Sequence, residues 1–234
     1  MSRTVKAMAG AAERRPSLVD DAYAAMKEAI RESTFAPGYQ ASEQEIALRL
    51  GMSRTPVHEA SIRLQEEGLV RIVPKRGILI CALAPDDLRE IYEVIIAIEA
   101  AAAELVAGLP EAERSAVAGE LAEATARMDE AHAAGRLQDW GKADEAFHRI
   151  LVERCGNRRI ERIIQTVKDQ SHRARMLTLK LRRQLPASVA EHRAIVDAIR
   201  RGDAAAAYAA ARQHRSHARD ELLPLLADFG LKHL

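Results

Sequence analysis

With 234 residues, the chain is long enough for one large domain or two modest ones. Its formal net charge is only +1, which excludes nucleic-acid binding through bulk positive charge and leaves only a local basic patch for that purpose. Hydrophobic residues make up 48% of the chain and aromatic residues 3%, in runs rich in alanine, leucine, glutamate and arginine. This composition favours a mostly helical globular protein with little sheet.

Nothing in the sequence predicts a membrane protein. The longest apolar run, VIIAIEAAAAELVAGL, is interrupted by Glu99 and Glu104, so we expect a buried helix there. The N-terminus lacks the apolar core of a signal peptide. Cys81 and Cys155 are far apart and have no paired spacing, which suits a reducing compartment. We therefore expect a cytoplasmic protein that does not contact a membrane.

The first part of the chain has the pattern of a helix-turn-helix. Residues 1–15 carry basic side chains without helical periodicity, so we predict a loose basic arm. A first helix is expected from Pro16, closed by the turn FAPGYQ. A short second helix begins at Ser42, which has capping-box spacing to Glu45, and ends at Gly51. The segment GMS then matches the three-residue, glycine-containing turn of a helix-turn-helix.

A third helix is predicted to begin at Ser53. Pro56 costs almost nothing there, because the N–H groups of a first helical turn have no intrahelical partner. Val57, Ala60 and Leu64 recur at helical spacing and are expected to be buried.

The exposed start of this third helix has the residues that DNA recognition needs. The predicted burial leaves Arg54, Thr55 and His58 facing solvent. Arginine can bind guanine through two hydrogen bonds, threonine can contact a phosphate or a thymine methyl group, and a helix start suits phosphate. We predict a recognition helix.

After the third helix, the sequence pattern changes first to that of β-strands and then to that of a helical bundle. Apolar and β-branched runs at 69–73 and 78–82 flank the turn PKRG, which predicts a β-hairpin wing and completes a winged helix-turn-helix over residues 16–83. From Pro85 onwards, every segment has helical periodicity. We predict an antiparallel all-α bundle of about six helices in residues 84–234, and therefore a mostly α fold.

The run FAPGYQASEQEIALRLGMSRTPVHEASIRLQEEGLVRIVPKRGILI resembles the winged-helix domain of the GntR transcription regulators. It has that family's Pro-Gly turn, its Gly-x-Ser-Arg-Thr-Pro-Val motif, its Glu-Gly-Leu-Val and its glycine-containing wing. The helical part that follows is similar to the FadR-type effector domain, or FCD domain, at DEAFHRILVERCGN and EHRAIVDAIRRGD. The resemblance covers nearly the whole chain.

The resemblance implies that Arg54 contacts a base edge, while Thr55 and the wing contact the DNA backbone or the minor groove. The predicted DNA-binding residues are Gln44, Ser53, Arg54, Thr55, His58, Lys75, Arg76 and Gly77. The family commonly has arginine where this chain has His58 and leucine where it has Ser61, and many members have arginine in place of Gln44. Because histidine is mostly neutral near pH 7, we expect a different operator sequence and weaker binding.

Four polar residues of the helical part lie on stripes that are otherwise apolar. Asp144 and His148 are one turn apart on one predicted helix, and His192 and His214 lie on the apolar faces of two others. Three imidazoles and a carboxylate that converge on a cation satisfy one another, and the FCD pattern of one Asp and three His matches these residues one by one. We predict a divalent metal ion (Zn, Ni, Mn or Fe) and take His217 as the rival ligand.

The resemblance further implies that the metal helps to hold a small carboxylate effector. An arginine that the family often has near this pocket is replaced by Ile95, for which Arg173 or Arg175 could substitute. The competing hypothesis is a metal-dependent enzyme that acts on small organic acids, although the sequence has no HExxH motif and no recognisable Ser-His-Asp or Cys-His arrangement. A helical regulator whose pocket has lost its metal is the third alternative.

We predict a homodimeric transcription regulator, not an enzyme, with repression as the expected mode. Two winged helices would bind a palindromic operator in double-stranded DNA. An effector in the helical domain would favour one arrangement of the two domains and so change the affinity for DNA, with a hinge near residues 83–86.

Overall fold

The computed structural model describes residues 17–82, 85–179 and 185–228. The predicted basic arm at 1–15 and part of the predicted hinge lie outside these ranges. The N-terminal unit contains α1 (Leu18–Arg31), β1 (Gln40–Ala41), α2 (Glu43–Leu50), α3 (Arg54–Glu66), β2 (Val70–Val73) and β3 (Gly77–Ile80). The helical unit contains α4 (Pro85–Ala107), α5 (Glu111–Ala133), α6 (Leu137–Glu153), α7 (Arg158–Thr178), α8 (Leu185–Arg201) and α9 (Ala204–Asp228).

The predicted helix-turn-helix is confirmed. The Ser42 side chain caps α2 by accepting a hydrogen bond from the Glu45 N–H, and Gly51 ends the helix in the left-handed conformation with φ of 67°. Ser53 is the N-terminal cap residue of α3, and Pro56 lies in the first turn of that helix.

The N-terminal unit has its own hydrophobic core. The predicted stripe Val57, Ala60 and Leu64 is fully buried and packs into one cluster with Met26 and Ile30 of α1. Burial of this stripe fixes the rotation of α3, because the side chains on its opposite face must then point to solvent.

The wing is a three-stranded antiparallel sheet in the order β1-β3-β2. The strands β2 and β3 form the predicted hairpin, with bounds shifted by one or two residues. The third strand, β1, was not predicted: it pairs Gln40 with Leu79 and Ala41 with Ile78. Because β1 directly precedes α2, this pairing fixes the wing beside the start of that helix.

Within residues 85–179 and 185–228, the helical unit consists of the six predicted helices. Within it, α4 packs chiefly against α9, and α5 packs against α6 and α8. Tyr92, Trp140 and Phe147 are the largest apolar side chains buried in its core. Among the residues described, no helix is both long and apolar enough to cross a membrane.

Gly77 should be required for the wing to pack against β1. Its φ is +91°, and a Cβ atom there would lie 2.2 Å from the Ala41 carbonyl oxygen, which belongs to the backbone and cannot move aside cheaply. We expect Gly77→Ala to lower the free energy of unfolding by about 2–4 kcal/mol, from the left-handed backbone and the clash together. Urea unfolding measures this loss.

Gly38→Ala is the matched control, because Gly38 also has a positive φ, +79°, but no heavy atom within 4 Å of an added Cβ. It should cost only about 1–2 kcal/mol. Equal losses for the two variants would mean that the close approach to β1 contributes nothing.

Candidate metal centre and DNA-binding surface

Three helices of the bundle bring the four predicted metal ligands to one place. Asp144 and His148 come from α6, His192 from α8 and His214 from α9. All four side chains are buried, and one potential ligand atom from each lies within 4.8 Å of the others. The backbone spacing of one helical turn puts Asp144 and His148 on the same inner face of α6.

The three histidines share one arrangement, in which each Nδ1 lies against an acceptor and each Nε2 points into the cluster. The acceptors are Glu99 Oε2 for His148 at 2.8 Å, the Ser188 carbonyl for His192 at 2.7 Å, and Glu191 Oε2 for His214 at 2.8 Å. A proton held on Nδ1 of each ring by these acceptors would leave three Nε2 lone pairs facing one another.

The distances inside the cluster suit a metal ion. The Nε2 atoms of His192 and His214 lie 3.2 and 3.3 Å from that of His148, and Asp144 Oδ1 lies 3.5 to 3.6 Å from two of them. A tetrahedral shell with ligand distances of about 2.1 Å separates neighbouring ligand atoms by about 3.4 Å. Without a cation, facing lone pairs and a buried carboxylate would repel one another, so the residues fit a divalent metal.

Burial keeps the imidazoles of His192 and His214 neutral. Burial, with a further contribution from His148, lowers the pKa of His192 to about 3. Burial and the neighbouring His192 lower the pKa of His214 well below its ordinary value. Both rings are therefore uncharged at neutral pH, so their Nε2 lone pairs are available for coordination without loss of a proton.

A buried ion pair beside the cluster was not predicted. Arg215 donates from Nε and Nη2 to the two oxygens of Glu99, at 2.6 and 2.5 Å. Burial would raise the pKa of Glu99, but Arg215 and His148 outweigh it and lower the pKa to about 2. Glu99 thus remains ionised and fixes the ring of His148. The sequence held two signals that could have predicted this pair, since Glu99 interrupts an apolar run and Arg215 directly follows His214.

A cavity lies beside the cluster and against α7, and of the four cluster residues only His148 lines it. It has about 560 Å³ of free space, including its opening to solvent. It is lined by Ile95, Glu99, Glu145, His148, Arg149, Val152, Glu153, Ile164, Gln165, Lys168, Ser171, His172 and Arg215. Several polar side chains converge on a small space, which is typical of a ligand site.

Three other candidates lie elsewhere or are not described. His217 is half exposed and lies 2.5 Å from Glu191 Oε1, outside the cluster of four. Arg173 does not line the cavity, because its Nη2 donates to the Cys81 carbonyl at 2.9 Å. The side chain of Arg175 lies outside the described part. Arg149, Lys168 and Arg215 are the cations of the cavity instead.

Helix α7 is shared by the cavity and the N-terminal unit. Its side chains Gln165, Lys168 and His172 line the cavity. On its other side, Gln170 Nε2 donates to the Glu67 carbonyl at 2.9 Å, and Arg173 donates to the end of the wing.

An ion-pair network at the same junction ties α1 to the helical unit. Lys27 Nζ lies 2.7 Å from both Glu67 and Asp169, and Arg31 lies 3.6 Å from Asp169. Arg31 Nη2 also lies 2.6 Å from Glu145 Oε1. Glu145 lines the cavity, so one carboxylate connects the cavity wall directly to the DNA-binding unit.

Seven of the eight predicted DNA-binding residues are exposed. Gln44, Ser53, Arg54, Thr55, His58, Lys75 and Arg76 are all exposed, whereas Gly77 is partly buried against β1. Lys75 has φ of 63° at the wing tip. Ser61, the second departure from the family pattern, is buried on the opposite side, where its hydroxyl donates to the Val57 carbonyl at 2.7 Å.

Two family models match the chain. The model described as bacterial regulatory proteins, gntR family, matches residues 18–80. The FCD domain model matches residues 90–217. The first match covers the winged helix, and the second covers the four residues of the cluster.

Relatives and solved structures agree with these matches. An HTH-type transcriptional regulator from the TAR-I ttuE-ttuC' intergenic region of Agrobacterium vitis is 55% identical over 134 residues, 57% of this chain and 78% of that protein. Another, from an unstable DNA locus of Streptomyces ambofaciens, is 33% identical over 198 residues, 83% of this chain and 80% of that protein. A GntR transcriptional regulator from Rhodococcus sp. RHA1 superposes with a TM-score of 0.73 at 26% identity, covering 88% of this chain and 97% of that one.

The two family matches and the names of these relatives identify a transcription regulator that binds DNA, and not an enzyme. The chain belongs to the GntR family of bacterial transcription regulators, in the FadR-type group that carries an FCD domain.

Proposed function

We propose that this regulator is a cytoplasmic, homodimeric repressor whose affinity for a palindromic operator changes when a small carboxylate binds beside a divalent metal. The observation that carries the proposal is the convergence of three Nε2 atoms and Asp144 beside a cavity that His148 also lines. The proposed ligands of the metal are Asp144, His148, His192 and His214. When bound, the metal would supply a positive charge and open coordination positions, because many divalent ions take five or six ligands.

The charge balance of the cavity supports an anionic effector. Three cationic and three anionic side chains line it, so they cancel. Asp144 then makes the local charge negative, and a divalent ion makes it positive. A carboxylate should therefore bind only when the metal is present, with Lys168 of α7 or Arg149 of α6 as a second partner.

The junction supplies a route from the cavity to DNA. A ligand that draws His172 or Lys168 towards itself would act on α7, whose other face contacts the N-terminal unit. Glu145 lies against both His172, at 3.2 Å, and Arg31 of α1. A ligand changes DNA affinity only if it binds one arrangement of this junction better than another.

The exposed start of α3 supports base recognition in the major groove. In a homodimer, two such helices would contact half-sites about one helical turn of DNA apart, which predicts a palindrome. A dimer bound across a promoter would block access to it, and this is the basis for proposing repression.

The proposed metal site is tested by measuring the metal content of the purified protein. We expect purified protein loaded with Zn, Ni, Mn or Fe to hold about one ion per chain, and His148→Ala to lose it, because three ligands bind far less tightly than four. Inductively coupled plasma mass spectrometry measures the content. His217→Ala is the control and should keep the ion, since His217 is outside the cluster. Loss of the ion from His217→Ala as well, or no ion in the wild type, would contradict the site.

Effector coupling is tested with a panel of small mono-, di- and tricarboxylates. We expect at least one to raise the melting temperature of metal-loaded protein but not of chelator-treated protein, and to change the affinity for DNA. Asp169→Asn should keep the thermal shift but weaken the change in DNA affinity, because Lys27 and Arg31 lose a junction partner.

Asp139→Asn is the matched control for coupling, because Asp139 pairs only with Arg136 on the exposed surface of α6. Its free energy of unfolding should change by less than about 1 kcal/mol. An undiminished response of DNA affinity in Asp169→Asn would remove the junction from the mechanism.

The roles of the DNA surface are tested by two substitutions. Arg54→Ala should cost about 1–3 kcal/mol on a duplex that the wild type selects from random DNA, and little on scrambled DNA, because it removes a base contact. Lys75→Ala should weaken binding to both duplexes alike. Fluorescence anisotropy measures the four affinities. Equal losses on both duplexes for Arg54→Ala would exclude it from base recognition.

A further inference from the structure

One carboxylate holds two side chains of the proposed recognition surface. Glu43, the first residue of α2, is largely buried and lies against the start of α3. Arg54 donates from Nε to Glu43 Oε2 at 2.7 Å. His58, one helical turn further along α3, lies with Nδ1 2.6 Å from Glu43 Oε1. The two side chains remain 68% and 49% exposed, so each still presents a free edge to solvent.

The contact decides which edge of Arg54 is free. Its Nε is used by Glu43, and within the described part of the chain no hydrogen bond or ion pair engages its two terminal amino groups. These paired donors match the O6 and N7 acceptors of guanine in the major groove. Glu43 therefore keeps the guanidinium extended from the surface with its guanine-binding edge outwards.

The contact also decides the proton position on His58. An ionised carboxylate only accepts hydrogen bonds, so the neutral ring must carry its proton on Nδ1. Burial raises the pKa of Glu43, but the hydrogen bonds from Arg54 and His58 outweigh it and hold the pKa below its ordinary value. The outward Nε2 of the neutral ring is then an acceptor. An arginine at this position would instead offer only donors.

We propose that Glu43 is a positioning residue that sets base preference: it directs Arg54 towards guanine and sets His58 to accept a hydrogen bond from adenine N6 or cytosine N4. Those are the exocyclic amino groups that face the major groove, whereas guanine and thymine present acceptors there. The inference rests on the proposed role of α3 in base recognition. It assigns to His58 a base class opposite to the one an arginine would select.

Glu45, in the same helix, is the control for a purely structural role of Glu43. Glu43 and Glu45 both lie in the first turn of α2, where acids favour the positive end of the helix dipole. Glu45 contacts Tyr39 and Arg49, and no hydrogen bond or ion pair joins its side chain to α3 among the residues described. Glu45→Gln therefore removes the same charge from the same turn and leaves Arg54 and His58 in place.

The test uses full-length protein and double-stranded DNA selected by the wild type from a random pool. Every base pair of the selected half-site is then replaced by each alternative, and dissociation constants are measured by fluorescence anisotropy. His58→Ala and Arg54→Ala identify the base positions that depend on each residue. We expect adenine or cytosine at the His58 position and guanine at the Arg54 position, each preferred by about tenfold.

Glu43→Gln should reduce the preference at the His58 position at least fivefold, because the amide can donate to Nδ1 and allow the proton to move to Nε2. Guanine or thymine should then bind as well as adenine or cytosine. Glu45→Gln should change the same preference by less than about twofold, and both variants should keep the wild-type melting temperature within a few degrees.

Two outcomes would overturn the inference. The first is a wild-type preference for guanine or thymine at the His58 position, which would make Nε2 a donor. The second is a Glu43→Gln profile equal to that of the wild type while His58→Ala still changes it, which would leave base reading intact without Glu43. If neither Arg54→Ala nor His58→Ala alters any base preference, the proposed recognition role of α3 fails, and this inference fails with it.

Discussion

The helical unit is built around the buried convergence of three histidines and an aspartate. If the three imidazoles are neutral with Nε2 unprotonated, their lone pairs face the buried carboxylate, and a cation among them satisfies all four groups. The bidentate pair of Glu99 with Arg215 lies beside them and is equally buried. Helices α4, α6, α8 and α9 all contribute a residue to this centre, so its geometry also determines how these helices pack.

That centre is not isolated from the rest of the molecule. The cavity beside it, which His148 lines, shares α7 with the N-terminal unit, and the ion pairs of Lys27 and Arg31 span the junction. Hydrogen bonds of Asp169, Glu67 and Tyr23 outweigh burial and raise the pKa of Lys27. Lys27 is therefore charged at any physiological pH, and the junction is held by partly buried charges that a nearby anion or metal can perturb.

Local patterns in the sequence predicted much of this structure, because a stripe or a proline needs no knowledge of distant residues. Pro56 located the start of α3, and interrupted apolar stripes located the four residues of the cluster. The strand β1 has only two residues, too few for an alternating pattern. The pair Glu99–Arg215 joins positions 116 residues apart, and periodicity gives the face of a helix but not its neighbour. The same limit explains why the sequence could not show that Arg173 contacts the Cys81 carbonyl and does not line the cavity.

The two functional surfaces use the same arrangement of one carboxylate, one histidine Nδ1 and one arginine. In the bundle, Glu99 holds His148 and Arg215 in full burial, where a broken pair would leave an uncompensated charge and the arrangement is therefore fixed. At the DNA surface, Glu43 holds His58 and Arg54 in contact with water, where such pairs contribute about 0–1 kcal/mol and are screened by salt. Burial thus separates the two roles: the inner carboxylate maintains a permanent site, whereas the outer one can only bias which hydrogen-bonding edges meet the DNA.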